Sequence, residues 1–90
     1  MQIDCDPPKR KATLENRGLD MADAVDVFAG KTLTVQDTRQ DYGEDRFITI
    51  GRLNKRMVVL VWTPRGEVRR IISMRKANDR EQALYGPRLD

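Results

Sequence analysis

From Met57 to Thr63 the chain reads Met-Val-Val-Leu-Val-Trp-Thr, an almost unbroken run of apolar and β-branched residues. A run of this length and branching reads as a central strand, covered on both sides and in part by helices. It is far short of the roughly 18 apolar residues that cross a bilayer, which excludes membrane insertion of this run. The chain that must cover it has only 90 residues. A protein of this size buries about 60–65% of the surface its unfolded form exposes, enough for one small core and too little for a large cofactor cavity. The reading is therefore one unit over residues 1–90, with no repeat, linker or low-complexity tract to divide it.

Local signals supply the other elements. Met1 to Asp4 reads as a short opening strand. Asp6 before Pro7 and Pro8 caps a helix that runs to about Arg17 and stops at Gly18. Asp20 opens a second helix with Met21, Ala24, Val25 and Phe28 as its apolar face, ended by Gly30. From Lys31 the period changes to two, giving strands at Thr32–Val35 and Arg46–Leu53, a tight Asn54-Lys55 hairpin, and then the central strand. Thr63-Pro64-Arg65-Gly66 has turn chemistry. Val68–Arg75 is the last strand, and Asn78 with Glu81 forms a capping box for a closing helix through about Tyr85, terminated by Gly86 and Pro87. The fold class is α+β: a short N-terminal strand, two helices, an antiparallel meander sheet and a C-terminal helix.

The composition narrows the chemistry. There is no histidine and a single cysteine, Cys5. The usual imidazole base, the His-containing triads and thiolate metal sites are thereby removed, and no metal or cofactor is called for. Cys5, with no activating neighbour in sequence and no apolar signal segment before it, reads as an inert thiol in a reduced, cytoplasmic protein. The net charge of +3 conceals an asymmetry. Residues 1–45 carry six Lys/Arg against ten Asp/Glu, net −4, and residues 46–90 carry eleven against four, net +7. Clustered arginine on a small domain is the electrostatic footprint of a polyanion binder.

The cluster centres on the last strand. Strict alternation puts Val68, Arg70, Ile72 and Met74 on one face and Arg69, Ile71, Ser73 and Arg75 on the other. With Arg65 before the strand and Lys76 and Arg80 after it, six basic groups fall within sixteen residues. Arginine forks match phosphate oxygens and stabilise the extra charge of a phosphorane-like transition state. Cleavage of RNA through its own 2′-hydroxyl also needs a proton acceptor and a donor for the leaving oxygen. Lys76, Glu67 or Glu81 are candidates for the acceptor, and an Arg or Tyr85 for the donor. Trp62, inside the apolar run, reads as core rather than as a base-stacking surface. Glu44, in Gly43-Glu44-Asp45-Arg46, reads as a solvated turn residue.

Several segments together resemble a known family. These are Asp6-Pro7-Pro8-Lys9 before a helix, Gly18 with the Asp20–Phe28 helix, Gly43 to Gly51, and above all Arg70-Ile71-Ile72-Ser73-Met74-Arg75-Lys76-Ala77 followed by an Arg-Glu helix ending in Tyr85. They are similar to the BrnT toxins of bacterial type II toxin–antitoxin systems, over nearly the whole chain. The resemblance implies a RelE/ParE-like fold and an endoribonuclease that inhibits translation. It also implies a BrnA-like antitoxin with a ribbon-helix-helix domain, through which alone the pair contacts operator DNA. On this reading Arg65, Arg70, Ser73, Arg75 and Lys76 are the candidate catalytic residues, and Arg46, Arg69, Arg80 and Tyr85 the RNA-binding ones. Arg17 and Trp62 stand where many members have histidine. Two other classes fit the same residues: a toxin of this fold with a different target such as gyrase, and a non-catalytic module whose basic strand docks nucleic acid or an acidic partner segment.

Overall fold

The computed structural model describes residues 2–90; Met1, assigned to the opening strand, lies outside them. The elements in chain order are β1 (Gln2–Cys5), α1 (Pro7–Arg17), a single 3-10 turn (Met21–Asp23), α2 (Ala24–Ala29), β2 (Thr32–Gln36), β3 (Phe47–Leu53), β4 (Arg56–Arg65), β5 (Val68–Lys76) and α3 (Asp79–Leu89). The five strands form one sheet in the order β1-β5-β4-β3-β2. The apolar run is the central β4, with Val58 and Leu60 fully buried.

The sheet is mixed, where alternation of strands and turns had given an antiparallel one. Strands β2 to β5 pair antiparallel with their chain neighbours, but β1 joins the outer edge of β5 in parallel, Gln2 opposite Val68 and Cys5 opposite Ile71. A strand that returns to the sheet only after more than sixty residues is not bound by hairpin geometry, and nothing local in the sequence reports its direction.

Two layers cover the sheet. On one face α1, the 3-10 turn and α2 enclose Leu19, Met21, Ala24 and Val27 with Val58, Leu60, Trp62, Ile71 and Met74. On the other, α3 brings Leu89 and Tyr85 against Ile50, Met57, Val59 and Ala77. The second helix buries most of the face its spacing gives, Met21 and Ala24 fully and Phe28 in part, but Val27 is inside in place of Val25, which is 53% exposed. The 3-10 turn advances three residues per revolution, so the phase set at Met21 passes to Ala24 and then Val27. Gly51 lets α2 lie on β3, since a Cβ there would sit 2.7 Å from Val27 Cγ1 and 3.1 Å from Thr32 Cγ2.

Helix α1 contributes no buried side chain. It is held by its Asp6 cap, which accepts the Lys9 N–H, and by a two-pronged pair from Arg10 to Asp20 at 2.7 and 3.0 Å. Arg17 also donates to the Met74 carbonyl at 2.8 Å. That carbonyl lies on a stretch of β5 beyond Ile71, where β1 has ended, so a side chain completes what a strand leaves open.

Two proline positions differ from the turn and stop expected of them. Pro64 lies inside β4, opposite Arg69, and the turn falls at Gly66, with φ 62°, and Glu67. The pairing of β3 with β4 ends at Trp62, so at Pro64 no ladder bond to β3 is lost. Pro87 and Gly86 lie within α3, which continues to Leu89. The extra turn is retained because Leu89 is buried and the Asp90 carboxylate meets Arg52 at 2.7 Å.

Candidate functional site

The last strand does not alternate as its sequence suggests. Val61 faces Ser73 and Trp62 faces Ile71, leaving Ile72 without a partner across the ladder. This β-bulge shifts the phase of the strand by one residue. Ile71 and Met74 consequently share the face under α1 and α2, both fully buried. Ser73 and Arg75, opposite Val61 and Val59, point to the α3 side. The strand's arginines, read as two rows, are instead distributed among separate places.

Arg75 and Ser73 line a cleft of about 540 Å³ between the sheet and α3. Its floor is the apolar part of the sheet that α3 leaves uncovered, Val35, Ile48 and Val61, and its rim holds Arg39, Arg80, Glu81 and Tyr85. Both oxygens of Glu81 bond the Arg75 guanidinium, at 2.7 and 2.8 Å. The same glutamate closes the capping box of α3 with Asn78. Its carboxyl is pulled down to about 2, chiefly by the Arg75 guanidinium and further by the Asn78 N–H, against the opposing effect of burial. Glu81 is therefore fully ionised at neutral pH and aimed into the cleft beside three arginines.

Sequence reasoning missed Arg39. It lies in the polar segment between β2 and β3, where Asp37 is buried with its side chain fully enclosed. Asp37 accepts both Nε and Nη2 of Arg39, at 2.8 and 2.7 Å, and the hydroxyl of Tyr42 at 3.1 Å. These bonds, Arg39's foremost, hold the Asp37 carboxyl well below the usual range. The motif is an Asp with an Arg two residues on and a Tyr five residues on. It ties an otherwise featureless loop into a fixed shape and presents Arg39 at the cleft rim.

The remaining candidates stand elsewhere. Arg70 pairs with Asp4 of β1 at 2.6 Å and lies 3.9 Å from Asp6, so it closes the sheet edge; the Asp4 carboxyl is lowered first of all by this bond. Arg46 bonds Glu44 at 3.2 Å and lies over the Tyr42 ring at 4.1 Å, with Arg65 3.9 Å from the same Glu44. Glu44, read as a solvated turn residue, thus meets two cations. Arg69 points to the helical face, stacked 3.9 Å over Phe28 and 5.2 Å from Trp62, and its Nε is buried without a hydrogen-bond partner. Lys76 lines a separate groove beside the β3–β4 hairpin. Trp62 is in the core as expected: its Nε1 donates to Thr49 Oγ1 at 2.8 Å, Phe47 stacks on it at 5.0 Å, and Phe28 meets it edge-on at 5.6 Å. Burial pushes the Cys5 thiol up, away from the thiolate.

These features define a small α+β protein with an arginine-rimmed cleft on a half-covered sheet face. A family model described as "Ribonuclease toxin, BrnT, of type II toxin-antitoxin system" matches residues 5–81, and the chain belongs to that family. A toxin of this type has a protein antitoxin as its partner. The comparison with curated proteins gives no match. Among the described residues, no helix is long and apolar enough to cross a membrane.

Proposed function

We propose that the protein is a metal-independent endoribonuclease of RelE/ParE-like fold, a single toxin domain over residues 1–90, and that it cleaves RNA in the cleft between the sheet and α3. The observation that carries this reading is the two-pronged pair between Arg75 and Glu81, set among Arg39, Arg80, Ser73 and Tyr85. A phosphodiester is the ligand that competes with a carboxylate for a guanidinium fork. When the scissile phosphate takes the fork of Arg75, Glu81 loses the partner that lowered its pKa, and its basicity rises. The freed carboxylate then accepts the 2′-hydroxyl proton as O2′ bonds to phosphorus. The bond from phosphorus to O5′ breaks, and a proton from the Tyr85 hydroxyl or from solvent goes to O5′, leaving a 2′,3′-cyclic phosphate and a 5′-hydroxyl. Arg75 and Arg80 stabilise the added negative charge, and Ser73 hydrogen-bonds a phosphate oxygen.

Arg65, Arg70 and Arg46 extend the basic surface toward the β1 edge and bind the flanking backbone, and Lys76 and Arg69 act outside the cleft. The antitoxin is a BrnA-like protein with a ribbon-helix-helix domain, which neutralises the toxin in the cytoplasm and carries the pair to operator DNA. The test is purified protein on a defined RNA with mapping of 5′ ends. The wild type yields 5′-hydroxyl ends, Arg75→Ala loses at least about a hundredfold in rate, and Arg75→Lys restores little because a single ammonium cannot replace a fork. Growth arrest on expression with cellular RNA intact would overturn the reading in favour of another target.

A further inference from the structure

Most arginines near the sheet are already neutralised. Arg10, Arg39, Arg46, Arg52, Arg65, Arg70 and Arg75 each face a carboxylate. The cations at the β3–β4 hairpin differ. Lys55, Arg56 and Lys76 form no ion pair among the described residues, yet they line one groove of about 420 Å³ with Asn54 and Gln82. Arg52, which also lines the groove, is by contrast paired with Asp90. The groove therefore gathers three cations without an ion pair, where the cleft has Arg80 alone.

The backbone sets where these three side chains leave the sheet. Asn54 and Lys55, at φ 51° and 68°, make the two-residue turn whose twist matches the strands it joins, so the end of the hairpin is a stiff corner. Arg56 stands two residues before Val58, and Val58 is the register partner of Lys76, so Arg56 and Lys76 leave the same face of the sheet. Met57 and Ala77, the apolar residues that border the groove, are buried. A protein segment would find no exposed apolar anchor here, whereas a phosphate backbone needs none. Groove and cleft lie on either side of the β5–α3 junction, Arg75 lining one and the next residue, Lys76, lining the other.

We infer that the hairpin groove is a second polyanion site, in which Lys55, Arg56 and Lys76 hold the phosphodiester backbone of single-stranded RNA that continues beyond the cleft. The identity of the ligand rests on the RNA reading above; the convergence of unpaired cations does not. The site makes recognition depend on strand length, because a fragment that fills only the cleft never reaches the hairpin.

The test compares binding of a non-cleavable 2′-O-methyl dodecanucleotide and of the matching trinucleotide to wild type, Lys55→Asn/Arg56→Gln and Arg56→Glu. All three substitutions are on exposed side chains, and thermal unfolding checks that each variant is folded. The double variant is expected to bind the longer strand about tenfold more weakly at low salt. Its slope of log affinity against log salt should fall by about 1.4, two cations at about 0.7 per phosphate, with trinucleotide binding unchanged. Arg56→Glu should weaken the longer strand further. Equal affinity and slope for wild type and double variant would overturn the inference, as would equal loss on both strands or preference of the groove for an Asp/Glu-rich peptide over RNA. If the wild type cleaves nothing while the length-dependent effect persists, the groove stands and the catalytic reading falls.

Discussion

Glu81 bonds Arg75 with both carboxylate oxygens while one of those oxygens also accepts the backbone N–H of Asn78, at 2.9 Å. One side chain thus joins β5 to the first turn of α3 and sets the angle at which the cleft opens. Replacing Glu81 by Gln keeps the shape and removes the charge. The variant should lose about 1 kcal/mol of stability by urea unfolding. If Glu81 is the proton acceptor, kcat falls while RNA binds more tightly to the released Arg75; unchanged kcat would remove Glu81 from the mechanism.

The same pair gives a pH signature. Glu81 has its pKa at about 2 in the folded protein, below the roughly 4.3 of an unfolded glutamate, so its contribution is complete above about pH 5 and is lost as pH falls toward 2. The stability difference between wild type and Glu81→Gln should accordingly be constant from about pH 5 to 7 and shrink toward zero near pH 2. A difference that persists at the acid end would place the effect in packing and not in charge.

Asp37 should control the reach of Arg39. With Asp37→Asn the fork loses its charged partner, and the loop between β2 and β3 loses the bonds that shape it. Limited proteolysis should then cut between residues 38 and 45 faster than in wild type, with only about 1–2 kcal/mol lost overall because Arg39 remains solvated. Equal cutting rates would show that other contacts hold the loop.

Much of this architecture was legible because it is local. Asp6, Pro7, Pro8 and Gly18 bracket α1, Asn54-Lys55 make the hairpin, and Asn78 with Glu81 cap α3, each through bonds that span only a few residues. What could not be read depends on distant partners. Ile72 is an ordinary strand residue by type, and only the ladder with β4 makes it the bulge that separates Arg69 from Arg75. Pro64 looks like a turn until β3 is seen to begin only at Phe47, the partner of Trp62, and Pro87 looks like a stop until Leu89 is seen buried. For the cleft, Arg75 and Arg80 stand out from the density of charge on β5 and its flanks, Ser73 from the family resemblance, and Glu81 and Tyr85 as groups able to take up or supply a proton. Arg39 does not, because its position is set by a buried Asp37, and burial of a carboxylate has no sequence signal.

Two core substitutions probe the helical face. Gly51→Ala forces a methyl group to 2.7 Å from Val27 Cγ1, and Val27 is fully buried with nowhere to move. A loss of about 1–3 kcal/mol is expected, with a smaller loss when Gly51→Ala is made in a Val27→Ala background, where the space exists. Additive losses in thermal unfolding would contradict the clash.

Thr49 is fully buried and accepts the Trp62 indole N–H. Thr49→Val keeps the volume and strands that donor among Phe28 and Phe47. About 1–3 kcal/mol should be lost, with a shift of Trp62 emission to shorter wavelength as the indole loses its polar partner. Since Trp62 is the sole tryptophan, the emission reports this one contact.

The parallel pairing of β1 with β5 has a consequence for how the protein comes into being. Each of the hairpins from β2 to β5 closes between neighbours in the chain, while Gln2 must find Val68, a far slower search. During synthesis β1 emerges early and waits for the strand made last. Until it docks, Arg70 has no Asp4 beside it, and the edge of β5 is both unpaired and more basic than in the finished fold. A newly made chain therefore passes through a stage in which this edge is open to any strand or polyanion that reaches it before its own N-terminal segment does.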